Sequence, residues 1–189
     1  MQDQDLITIL NHVTNAKRSL RDKAATEIRD RPELFPPLVR KVFDVHDQLH
    51  IKAAWVLELV CLEDISLLDG SIQTFIRGMS MLTHESALRP VSKICSLWSK
   101  HYFDVNPVRF QLPDEDIEQI ISVNFDWLID DHKVATQVFA METLQLWGNH
   151  INWIHDELRS VLQKNADVSS SGYRARARRI LKILQINDE

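Results

Sequence analysis

Between residues 51 and 62 the chain reads IKAAWVLELVCL, apolar on nearly every side of a helix and interrupted only by Lys52 and Glu58. A helix patterned in this way is packed between neighbours, because it keeps no broad polar face for solvent. The last helical stretch, YRARARRILKIL, is one-sided instead. Arg174, Arg178 and Lys182 fall four residues apart on a stripe that Arg179 widens, with Tyr173, Ala177, Ile180 and Leu184 opposite.

Helical patterns of both kinds alternate along the chain. ELFPPLVRKVFDV, SIQTFIRGMSML, DEDIEQIISVNFDWLI and INWIHDELRSVLQK each read as the first helix of a pair, and residues 3–14 and 16–29 read as an amino-terminal pair. RDRPE, EDISLLDG, NPVRFQLPDED and DVSSSG stand between them, where Asp, Ser, Pro and Gly end one helix or cap the next. About ten helices in five hairpins follow, with residues 101–113 expected as a loop on one edge.

The second helices repeat a motif. HIKAAWVLELVC at 50–61 and HESALRPVSKIC at 84–95 match at an offset of 34, with Ala53, Leu57 and Val60 answered by Ala87, Val91 and Ile94. Phe43, Asp44, His50, Ala53 and Val56 likewise precede Phe125, Asp126, His132, Ala135 and Val138 by 82 residues. Two units of about 41 residues span that offset, within the range of paired-helix repeats. Alanines at 53, 54, 87, 135, 140, 175 and 177 are expected to let neighbouring helices approach closely.

On these repeats the chain resembles HEAT and armadillo-like helical-repeat proteins over essentially its whole length. The resemblance implies an all-α fold, a right-handed α-α superhelix (HEAT-like solenoid) of about five hairpins, in one domain over 1–189. SALRPVSKIC, FDWLIDDHKVA and YRARARRILKIL also look like a group of short bacterial proteins of this build, some described as adenylosuccinate lyases. That description implies a cytosolic β-elimination. Lyases of the fumarase and aspartase superfamily carry a signature of the form GSSxMPxKxN, of which only Ser169, Ser170, Ser171 and Gly172 are reminiscent here. No active site carries over residue by residue.

Composition narrows the classes. Four glycines in 189 residues leave few positions for hairpin turns, against an all-β fold. A net charge of −5 disfavours a chain whose main task is coating nucleic acid. Cys61 and Cys95 form neither a metal spacing nor a disulfide framework, which suits a reducing, cytoplasmic setting. MQDQDLITIL lacks the positive start of a signal peptide, and the longest apolar run, at twelve residues, contains Lys52 and Glu58. No membrane, metal or cofactor is expected.

Candidate chemistry is sparse. His84, Glu85 and Ser86 resemble a catalytic triplet, but adjacent helical residues point about 100° apart and cannot converge. Thr83 as N-cap with Glu85 and Ser86 in the first turn is the simpler use, and His50 and His132 are expected in the same place on their helices. Pro90 lacks an N–H, so its helix is expected to kink there or to begin near Arg89. Lys52, Arg89, Lys133 and Arg174 stand near the starts of second helices, where cations oppose the dipole. They therefore call for a bound anion or for neutralising acids, and Asp47, Glu58, Asp130, Asp131 and Glu142 are available. The five tryptophans, at 55, 98, 127, 147 and 153, are expected in the core.

These residues point to a non-catalytic binding or scaffolding module that presents a polar concave groove to a protein or peptide. Lys52, Glu58, His84, Arg89, Lys133, Arg174, Arg176 and Arg178 are the groove candidates. A nucleic-acid-binding protein similar to HEAT-like DNA-alkylation repair glycosylases is the first alternative. Lyase chemistry on a small anion is the second.

Overall fold

The structure, a computed structural model, describes residues 2–104, 111–165 and 170–186. It is all-α: ten α-helices and two 3₁₀ segments, with no strand among the described residues. The chain forms two compact units, Met1–Ile94 and Cys95–Glu189, and the division falls inside a helix.

The first unit contains α1 (Gln2–His12), α2 (Arg18–Arg29), α3 (Phe35–Val42), α4 (His50–Glu63), α5 (Ile72–Met79) and the first half of α6 (Glu85–Asp104). Pro32 opens a 3₁₀ turn, Pro32–Leu34, that leads directly into α3. EDISLLDG, expected as a turn, is a 3₁₀ segment over Ile65–Ser71, and the Asp64 side chain caps it by accepting the Ser66 N–H at 3.0 Å. The periodic faces of α3 and α5 supply much of the core: Leu38, Val39 and Val42 with Ile72, Phe75 and Met79. Phe43 meets Phe75 edge-on at 5.7 Å. Gly78 makes room for that pair, because a Cβ there would enter the Phe43 ring.

α4 is packed on nearly all sides, as its sequence requires. Ala53, Ala54, Val56, Leu57, Leu59, Val60 and Cys61 are buried, and Glu58 is buried with them. Both α2 and α3 lie against it.

The second unit holds the rest of α6, α7 (Asp114–Ile129), α8 (Val134–Gly148), α9 (Asn152–Lys164) and α10 (Ser171–Ile186). Consecutive helices pack as pairs, α7 on α8, α8 on α9 and α9 on α10. Asp114, Glu115 and Asp116 fill the first turn of α7, where acids favour the positive end of the dipole. Trp147 donates its indole N–H to the Ser99 hydroxyl at 3.0 Å and stacks on Tyr102, with ring centroids 5.5 Å apart. Gly148 ends α8 beneath the His155 ring, which hydrogen-bonds the Gln145 carbonyl at 3.0 Å and occupies the space a Cβ would need.

Several sequence expectations change. Residues 101–104 of the expected loop continue α6, 111–113 are irregular, and 105–110 lie outside the described residues, as does Ser169. Trp98, Trp127 and Trp147 are buried and Trp55 is half-buried, but Trp153 is 54% exposed and stacks on Phe125 at 6.1 Å. Its helix has room for only one apolar face, and Ile154, Leu158 and Leu162 occupy it.

The repeats survive in one register and shift in the other. At the offset of 34, Ala53, Leu57, Val60 and Cys61 correspond to Ala87, Val91, Ile94 and Cys95, all buried. At the offset of 82 the match slips by one residue: Ala135 is exposed, and Thr136, Ala140, Thr143 and Trp147 form the buried face of α8. Ala175 is exposed as well. The same spacing, i, i+4, i+7 and i+11, defines the buried faces of α6 (Ala87, Val91, Ile94, Trp98) and α10 (Tyr173, Ala177, Ile180, Leu184).

Candidate functional site

Pro90 lies inside α6, which begins at Glu85 and runs on through the proline, so the helix does not begin near Arg89. A proline at this position cannot donate to the carbonyl of Ser86, four residues back. The indole N–H of Trp55 on α4 does so instead, at 2.9 Å. The Arg21 guanidinium of α2 stands 6.0 Å from the centroid of the same indole. One polar link thus joins α4 to α6 where the helix's own ladder is broken.

One turn further along the two helices, Glu58 presents a carboxylate whose side chain is 5% exposed. Arg89 donates to one oxygen at 2.7 Å and Lys93 to the other at 3.1 Å. Arg89 remains 40% exposed and Lys93 25%. The buried anion is therefore matched by two cations that still reach water, which offsets most of its desolvation cost. Glu58 and Arg89, both sequence candidates, come together here. Lys93 was missed because its partner lies 35 positions away, beyond any helical periodicity.

His84, rather than Thr83, is the cap of α6. Its backbone carbonyl accepts from the N–H groups of Ala87 and Leu88, and its Nδ1 accepts the Ser86 N–H at 3.1 Å. Glu85 supplies the first-turn acid. The apparent triplet is thus a helix start. His50 differs: it is the first residue of α4, buried, with its ring edge-on to His84 at 6.4 Å and Nδ1 without a hydrogen-bond partner. Burial, more than the neighbouring His84, holds its pKa below the ordinary value. His132 lies two residues ahead of α8. The three histidines therefore occupy three different positions.

Lys52 is half-buried in the first turn of α4. Asp47, expected among its neutralisers, pairs with Lys41 at 2.8 Å and accepts the Leu49 N–H at 2.8 Å, and these bonds lower its pKa.

In the second unit, Lys133 is the exposed N-cap residue of α8. Arg174 and Arg178 are exposed on α10, where Arg178 Nε donates to the Arg174 carbonyl at 3.3 Å. With Leu162 and Leu181 they border a 360 Å³ cleft between α9 and α10. Arg176 lies off that stripe, as its spacing requires, and pairs with Glu142 of α8 at 2.6 Å. The Ser96 hydroxyl donates to the other Glu142 oxygen at 3.3 Å. Around this pair, α6, α8 and α10 enclose a second cleft of 270 Å³, to which Lys100 and Arg179 also contribute. Lys100 had no signal in the sequence, being one exposed lysine among many.

Glu58, His84 and Arg89 thus sit in the first unit with Lys52, and Lys133, Arg174, Arg176 and Arg178 sit in the second. Of the acids expected to neutralise them, Glu58 binds Arg89 and Lys93 from α4, Glu142 binds Arg176 from α8, and Asp47 binds Lys41. Among the described residues, no group of three or more His, Cys, Asp and Glu is arranged to hold a metal ion, and no helix is long and apolar enough to cross a membrane. No family model, curated protein or solved structure matches the chain.

Proposed function

We propose that the chain is a HEAT/armadillo-like binding or scaffolding module, a right-handed solenoid of five hairpins whose second helices present polar surface to a protein or peptide partner. The shared i, i+4, i+7, i+11 burial of α6, α8 and α10 carries this reading, because equivalent faces buried at equivalent positions are what stacked repeats require. The charged residues add to it. Arg89, Lys93 and Arg176 are anchored by carboxylates on neighbouring helices yet keep exposed guanidinium or ammonium surface, so a partner meets them already oriented. Two buried thiols agree with a reducing, cytoplasmic setting.

Affinity capture from the native cell tests the proposal. The wild-type chain is expected to retain a specific protein that is lost from a folded chain carrying Arg89→Glu and Arg176→Glu. Retention of nucleic acid instead would overturn it, as would cleavage of adenylosuccinate that disappears in Arg89→Ala.

A further inference from the structure

The cleft between the second half of α6, α8 and α10 inverts the charge of the chain. Lys100, Arg176 and Arg179 line it together with one carboxylate, Glu142, in a protein whose net charge is −5. Glu142 is already engaged by Arg176 and the Ser96 hydroxyl. Two formal positive charges are left for a visitor. Between these groups the lining is mostly apolar, with Leu97, Leu146 and Ile183 half-exposed beside the polar Gln145.

The combination discriminates among visitors. A free inorganic anion would use the cations and leave the leucines wet. Single-stranded nucleic acid is held on aromatic platforms along a basic track, and no aromatic residue lines this cleft. At 270 Å³ the space is also below the roughly 300–1,000 Å³ of pockets that enclose small organic ligands. It suits one or two branched side chains with acidic neighbours.

We propose that this cleft docks a short acidic segment of a partner protein, in which Asp or Glu residues flank one or two Leu or Ile side chains. The apolar side chains cover Leu97, Leu146 and Ile183, while the carboxylates meet Lys100 and Arg179, with Arg176 held in place by Glu142. The inference rests on the reading of the chain as a binding module and adds to it the site and the partner's chemistry.

A randomised dodecapeptide library displayed on phage, selected on the immobilised chain, tests it. Enriched peptides should place Asp or Glu beside Leu or Ile, and as synthetic peptides should bind at least tenfold more weakly to a K100E/R179E chain. Arg18→Glu on α2, outside the cleft, should leave their affinity unchanged. Urea titration of each variant establishes that it is folded. Enrichment of peptides without acids, or of peptides that bind K100E/R179E as well as wild type, overturns this site while leaving a binding module in place. Displacement of the selected peptides by an oligothymidine at low salt would assign the cleft to nucleic acid and overturn it too. An absence of any enrichment overturns the site, and only a simultaneous failure of affinity capture removes the broader reading.

Discussion

Trp55 donates its indole N–H to the carbonyl of Ser86 at 2.9 Å, the carbonyl that Pro90 leaves without a helical donor. The proline and the tryptophan therefore act as a pair. Trp55→Phe keeps most of the ring but removes the donor, and an unsatisfied, partly buried carbonyl costs about 1–3 kcal/mol. The loss should shrink when Pro90→Ala restores a backbone N–H, so a urea double-mutant cycle is expected to show coupling. Equal losses in the two backgrounds would refute the pairing.

Removing both cations from Glu58 should be worse than removing the carboxylate. In Arg89→Met with Lys93→Met the buried anion is stranded, with an expected loss of about 3 kcal/mol, whereas Glu58→Gln leaves two cations that can turn to water and costs about 1 kcal/mol. Urea midpoints order the two variants, and the reverse order would contradict the geometry.

Both thiols should be inert in the native protein. Burial pushes Cys95 up to about 11 and raises Cys61 beyond the ordinary thiol range. A thiol reagent at mildly alkaline pH is expected to label neither residue until denaturant is added, as only the thiolate reacts. Rapid native labelling would show that α4 or α6 opens readily.

Acid should weaken the first unit through His50. Its folded pKa lies below the ordinary 6.5, chiefly from burial. As pH falls through 6.5 the unfolded chain takes up a proton that the folded chain refuses, so stability is complete above that value and declines toward the lower folded pKa. The urea midpoint of wild type is expected to drop over this window, with a shallower drop in His50→Gln. Equal slopes would show that His50 is not responsible.

How much was legible follows from the range of each interaction. The buried face of α10 was read residue by residue, and the offset of 34 aligned α4 with α6 correctly, since helical periodicity is local. The offset of 82 aligned identities rather than burial and came out one residue off, because a 100° rotation separates adjacent positions. Arg89 was singled out for its proline, and Arg176 and Glu142 were both named, but their pairing was not. His84 as its own helix cap was also missed, as histidine is rarely the residue that supplies that acceptor.

By itself, the order of polar and apolar residues determined that the chain is helical, roughly where each helix runs and which side of most helices is buried. Those properties follow from backbone hydrogen bonds and side-chain periodicity within a few residues. Only the tertiary structure decided that Lys93 joins Arg89 on Glu58, that Trp55 completes the ladder at Pro90, that Trp153 faces solvent, and that Lys100 meets Arg176 and Arg179 around one cleft. Each of these depends on which helices are neighbours and at what rotation, and that is set by the packing of whole faces rather than by any local sequence.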